Sequence, residues 1–154
     1  LLSLLKYSND CVGVGAELQP EAVALARENA EKLGLEATFI ESDLFSQVEG
    51  KFDLIVSNPP YIESEVIETL EREVREHEPM SALDGGADGL DFYRRISEEA
   101  RAYLSRGGMI FYEIGYNQAE DVSDILRQNG YIDIVVKKDL AGLDRVVYAT
   151  YLED

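Results

Sequence analysis

The sequence predicts an α/β protein whose sheet is mostly parallel and closes on an antiparallel hairpin. Three observations carry this. Apolar runs of strand length alternate with segments that repeat apolar residues at helical spacing. The run Leu54-Ile55-Val56 is apolar without interruption, the pattern of a strand buried on both faces. The stretch 131–152 carries two β-rich runs around a turn and no helical pattern. Parallel neighbours need a crossover to reverse direction, and the intervening helices supply it.

Taken in order, "LLSLLKYSND" at residues 1–10 looks like the tail of a helix, and "DCVGVGAEL" at 10–18 reads as the first strand. "QPEAVALARENAEKLG" follows as a helix, with Pro20 early, Gly34 as its stop, and Val23, Ala26, Ala30 and Leu33 on one face. Strands are expected at 36–43 and 51–57, then a helix over 64–76. A further helix over 88–104 places Leu90, Tyr93, Ile96, Ala100 and Leu104 along one stripe, and Gly107-Gly108 marks its exit. "MIFYEIG" at 109–115 is the next strand. Ala119, Val122, Ile125 and Leu126 form the apolar face of a helix in 117–130, and the closing hairpin turns at 141–144.

A chain of 154 residues suits one domain, residues 1–154, that buries roughly two-thirds of its unfolded surface. No apolar stretch approaches the roughly 20 residues of a membrane span, and the first residues lack the basic start and cleavage site of a signal peptide, so a cytoplasmic location is expected. The net charge of −17 disfavours nucleic acid, whose binding is driven by lysines and arginines that displace counterions. The same field attracts a cationic cofactor or a basic protein. Cys11 is the only cysteine; it is read as a small buried hydrophobe and cannot form a disulfide or a thiolate metal site. His77, among Glu76, Glu78 and Pro79, reads as a solvent-facing helix end, and no metal site is expected.

In a parallel sheet, ligands lie beyond the carboxyl ends of the strands. Those ends carry Glu17, Asp43, Asn58 and the segment 113–115. Glu17 can accept hydrogen bonds from a ribose diol, or serve as an ordinary acid at a helix start. Asp43 can reach an adenine amino group, or cap its loop. "GVGAEL" suggests a dinucleotide fingerprint, but the third glycine would fall at Leu18, which weakens a nicotinamide cofactor.

"VSNPPYI" at 56–62 is the most specific stretch. The residue before a proline is pushed to extended geometry and each proline fixes its own φ, so the corner is stiff before any ligand arrives. Prolines have no N–H, which leaves the carbonyls of Asn58 and Pro59 available as acceptors beside Asn58 Oδ1. These three could hold both hydrogens of a planar –NH₂ group while Tyr61 covers its flat face. An amide nitrogen is a weak nucleophile because its lone pair is delocalised; gripping both N–H bonds aims that lone pair at an electrophile. A methyl sulfonium is such an electrophile.

Asn58-Pro59-Pro60-Tyr61 resembles motif IV of adenosylmethionine-dependent amino methyltransferases. "EPMSALDGGADGLDFYRRI", "EIGYNQAEDV" and "DLAGLDRVV" are similar to segments of the bacterial release factor glutamine methyltransferases, a likeness that covers essentially the whole chain. The resemblance implies a Rossmann-like class I methyltransferase sheet, S-adenosyl-L-methionine as methyl donor, and methylation of the glutamine amide in the Gly-Gly-Gln loop of peptide chain release factors. It implies that Asn58 and the Pro59 carbonyl grip the amide, that Pro60 and Tyr61 shape its pocket, that Glu17 and Leu18 meet the cofactor ribose, and that Asp43 and Leu44 line the adenine. Asn58 would border the cofactor as well. "ALDGG" at 82–86 is expected to support the loop.

Asn-Pro-Pro-Tyr alone leaves adenine-N6 and cytosine-N4 methyltransferases open as an alternative. The family's small helical domain, first strand and glycine-rich loop are expected to be absent here, the chain being N-terminally truncated. That strand lies mid-sheet, so unpaired sheet edges, self-association through them and weak cofactor binding are expected, an inactive fragment being the limiting case.

Overall fold

The computed structural model describes residues 1–8, 10–70 and 79–152. They pack as two units, residues 1–50 and 51–154.

The first unit contains α1 (Leu2–Tyr7), β1 (Gly13–Glu17), α2 (Pro20–Leu33) and β2 (Ala37–Glu41). The two strands pair in parallel, from Gly13 opposite Ala37 to Glu17 opposite Glu41, so their carboxyl ends coincide. Pro20 opens α2, where a missing N–H costs nothing, and Gly34 closes it at φ 64°, a left-handed conformation that glycine adopts without penalty. Val23, Ala30 and Phe39 form the core, with Leu2, Ala26 and Ala37 packed against them. The strand glycines serve packing: a Cβ on Gly15 would lie 2.7 Å from Phe39 Cδ1, and one on Gly13 2.7 Å from Leu5 Cδ1. This explains "GVG" without any dinucleotide.

Two expectations fail here. Cys11 is exposed, because β1 begins two residues after it. Leu33 is half exposed and lies outside the cluster that Val23, Ala26 and Ala30 form with Phe39.

The second unit contains β3 (Phe52–Ser57), the single-turn helices α3 (Ser64–Ile67) and α4 (Met80–Leu83), α5 (Asp91–Glu99) with a 3₁₀ turn at Ala100–Ala102, β4 (Leu104–Glu113), α6 (Ala119–Gln128), β5 (Tyr131–Lys138) and β6 (Asp144–Tyr151). Strand order is β3-β4-β6-β5: β3 and β4 are parallel, and β6 runs antiparallel to β4 and β5. The predicted parallel crossover and closing hairpin are both present. The stripe Leu90, Tyr93, Ile96, Ala100 and Leu104 is buried, as are Val122, Ile125 and Leu126 of α6.

Buried hydroxyls tie α5 to the sheet. Tyr93 OH donates to the Glu113 carbonyl at 2.9 Å, Tyr112 OH and Ser97 Oγ lie 2.9 Å apart, and Tyr131 OH donates to the Ser97 carbonyl at 3.0 Å. Burial pushes all three phenols above the ordinary tyrosine range.

Other expectations fail in this unit. The fifth helix stops at Glu99, and β4 starts at Leu104. Gly107 and Gly108, read as a helix exit, instead lie inside β4, where the register against β3 shifts between Phe52 and Leu54 and Gly107 sits at φ 78°. Leu54 and Val56 are exposed by 45% and 55%, against the expected burial on both faces. An apolar run reports that a strand is hydrophobic, but β3 is the edge strand of its sheet and the face carrying these two side chains is open. The helix expected over 64–76 is described only to Ile67, with a turn after it; residues 71–76 and His77 lie outside the described residues.

Candidate active site

Each unit gathers sequence-predicted residues at the carboxyl end of its parallel strands. In the first unit, Glu17 closes β1 and is exposed, as is Leu18. Glu17 Oε1 accepts the Gln19 N–H at 2.9 Å, the ordinary helix-start role, and its second oxygen remains for another donor. The Glu17 carbonyl accepts the Ser42 N–H at 2.9 Å, so the turn at Asp43 and Leu44 lies directly beside it. Leu44 adopts φ 49°, uncommon for a branched residue. Ser42, 5% exposed, organises that turn: its hydroxyl donates to the Leu44 carbonyl at 2.9 Å, lies 3.2 Å from Ser46 Oγ and accepts the Gln47 N–H at 3.0 Å. Nothing in the sequence marks Ser42 beyond its place at a strand end.

In the second unit, Asn58 to Tyr61 leave β3 as a corner. Asn58 is exposed, Pro59 is buried, and Pro60 and Tyr61 are half-buried. No described residue donates to the carbonyls of Asn58 or Pro59 or bonds the Asn58 side chain. A cavity of about 350 Å³ lies against the corner, lined by Asn58, Pro59, Tyr61, Ile62, Ala82 and Leu83. A larger one of about 510 Å³ in the first unit is lined by residues such as Gly13 and Ala37, at the amino ends of β1 and β2. That is the end of a parallel sheet where ligands are not bound.

The segment 82–86 holds the corner from below. Ile62 and Asp84 form a parallel bridge, in which the Ile62 N–H donates to the Leu83 carbonyl at 3.0 Å and the Gly85 N–H to the Ile62 carbonyl at 2.8 Å. Asp84 accepts the Ser64 hydroxyl at 2.7 Å and the Gly86 N–H at 2.9 Å, and these bonds hold its carboxyl below the usual range. A Cβ on Gly85 would lie 2.8 Å from Tyr61 Cα, so a larger residue would push the corner away.

One residue the sequence did not single out joins three loops. Gln118, 7% exposed, accepts the Gly115 N–H through Oε1 at 3.0 Å and donates through Nε2 to the carbonyls of Tyr61 at 3.0 Å and Gly89 at 3.3 Å. Glutamine before a helix reads as surface, and its partner lies 57 residues away in the chain.

A stiff, acceptor-rich corner over a small cavity suits a planar amide and invites comparison with known proteins. The family described as Methyltransferase small domain matches residues 2–76. The Release factor glutamine methyltransferase of Geobacter sulfurreducens is 50% identical over 135 residues, 87% of this chain and 48% of that protein. That of Agrobacterium fabrum is 43% identical over 95% of this chain and 51% of its own length. In sequence, the chain is similar to the release factor glutamine methyltransferases over most of its own length.

The chain spans about half the length of the curated relatives it matches. Solved structures agree on the fold. A methyltransferase from Pyrococcus furiosus superimposes with a TM-score of 0.72 at 19% identity, covering 99% of this chain and 68% of that one. A release factor-specific protein-(glutamine-N5) methyltransferase from Alicyclobacillus acidocaldarius gives 0.51 at 24% identity, over 97% of this chain and 85% of that one. The Rossmann-like class I methyltransferase fold follows. Among the described residues no helix is long and apolar enough to cross a membrane, and no group of three or more His, Cys, Asp or Glu residues could hold a metal ion.

Proposed function

We propose that this chain is the catalytic part of a cytoplasmic enzyme that transfers a methyl group from S-adenosyl-L-methionine to the side-chain amide nitrogen of the glutamine in the Gly-Gly-Gln loop of peptide chain release factors. The observation that carries the reading is the Asn58-Pro59-Pro60-Tyr61 corner, with its exposed amide, unclaimed carbonyls and adjoining cavity. The 43–50% identity to release factor glutamine methyltransferases supports this substrate class. A net charge of −17 argues against a nucleic acid base as the methyl acceptor.

The residues present fit the methyl donor. Glu17 offers a carboxylate oxygen at the end of β1 to the ribose hydroxyls, the exposed Leu18 follows it, and the Asp43-Leu44 turn stands next to it to receive the adenine. When bound, S-adenosylmethionine supplies a methyl carbon made electrophilic by its sulfonium. Asn58 Oδ1 and the Pro59 carbonyl accept the two N–H bonds of the substrate amide and favour a pyramidal nitrogen whose lone pair points away from them. Tyr61 lines the cavity, and Pro60 stiffens the corner behind it. The nitrogen gains the methyl group as the methyl carbon–sulfur bond breaks, with S-adenosylhomocysteine the leaving product, and loses one proton to solvent, so no residue need act as a strong base.

Mass spectrometry tests this directly. After incubation of the full-length protein with isotope-labelled methyl donor, the release factor peptide bearing Gly-Gly-Gln gains one labelled methyl group on its glutamine, and DNA gains none. Label on DNA adenine or cytosine with an unmodified release factor would overturn the reading.

A further inference from the structure

We propose that Gln118 is a positioning residue that clamps the Tyr61 carbonyl and thereby sets the Asn58 and Pro59 acceptors; the inference rests on the proposed amide methylation. Gln118 occupies the position just before α6, where a side chain ordinarily caps the helix, yet its side chain makes no cap bond. Its backbone alone serves the helix, the carbonyl accepting the Val122 N–H at 3.0 Å. The side chain turns instead to the other loops.

Only one orientation of the amide satisfies all its neighbours. Oε1 faces the Gly115 N–H, and Nε2 faces two carbonyls, Tyr61 and Gly89. The opposite flip would set oxygen against two oxygens and a donor against a donor. Because the group is 7% exposed, water cannot replace a lost partner cheaply. The loops around it are shaped to let it in. A Cβ on Gly89 would stand 2.4 Å from the Tyr61 carbonyl oxygen and 2.8 Å from Gln118 Nε2, and one on Gly115 would stand 2.8 Å from Gln118 Oε1.

Anchoring Tyr61 fixes the acceptors because of what lies between. Pro59 and Pro60 each hold φ near −65°, so few soft torsions separate the Tyr61 carbonyl from the carbonyls of Asn58 and Pro59. The carbonyl that Gln118 takes is not one of those offered to the substrate. The clamp therefore spends no acceptor the reaction needs.

Two readouts test this, and they fail separately. Gln118→Met keeps the shape and removes both bonds. Hydrogen exchange on the chain reads the anchoring alone: the amides of Ile62 and Gly85 should exchange about tenfold faster or more, with those of Leu54 to Val56 unchanged. Unchanged loop exchange, or equal acceleration across β3, overturns the proposal. Steady-state methylation of release factor by the full-length variant reads the consequence, with kcat falling about tenfold or more while the KM for the methyl donor stays within about twofold. A kcat within about twofold of the parent's overturns it too. A parent protein that methylates no amide sinks the proposed function and leaves the exchange result to decide the clamp.

Discussion

Asn58 and Glu17 each stand at the carboxyl end of a parallel strand, one as an exposed amide and the other as an exposed carboxylate. Asn58 announces itself through the two prolines behind it, because an amide followed by two residues without N–H groups has few structural uses at the end of an apolar strand. Glu17 does not, since a carboxylate before a helix has a local job, and here that job is real: Oε1 accepts the Gln19 N–H. The proposed ribose contact uses the remaining oxygen. Glu17→Ala should weaken binding of the methyl donor by roughly 10- to 100-fold, measured by calorimetry on the full-length protein, through loss of charged hydrogen bonds to the diol. An unaltered dissociation constant would leave Glu17 as a helix-start acid only. Cys11 was misread because an apolar neighbourhood in sequence does not say where a strand begins.

At the scale of elements, the helices and the hairpin were readable where a residue has a single conformational role. Gly34 at φ 64° ends α2 and Pro20 starts it. Gly107 and Gly108 were ambiguous, since glycine pairs serve helix exits and bulges alike, and only pairing with β3 decides. Gly89 shows the more demanding use. With φ 71° and the Tyr61 carbonyl in the way, Gly89→Ala should destabilise the protein by about 1–3 kcal/mol in chemical denaturation, from backbone strain and displacement of the corner. A change within experimental error would mean the corner gives way freely. The tyrosines that join α5 to the sheet make a pH prediction. Their folded-state pKa values are raised above the unfolded value of 10.0, so the stability they contribute is complete below that pH and is lost as pH rises beyond it. Denaturation midpoints should therefore fall steeply above about pH 10, with ultraviolet titration showing late ionisation of buried phenols until unfolding. Ionisation of all phenols at the ordinary value in the folded protein would contradict the burial.

For the molecule as a whole, alternation of strands and helices identified the sheet class, whereas the apolar run in β3 overstated its cover. Leu54 and Val56 stand open on one face of β3, and what packs over a sheet face is a property of the fold that a run of residues cannot express. Gln118 escaped notice for a related reason: its partners come from residues 61, 89 and 115, which only the fold assembles. The acidic balance speaks at this scale alone, and it disfavours binding to nucleic acid, whose phosphates it repels. The most direct test of the central claim, that the corner after β3 presents an amide nitrogen for methylation, is single-turnover methyl transfer to release factor by the full-length protein carrying Asn58→Ala. Loss of one preorganised contact predicts a rate lower by roughly 10² to 10³ at saturating methyl donor. A rate equal to that of the unaltered protein would contradict the account.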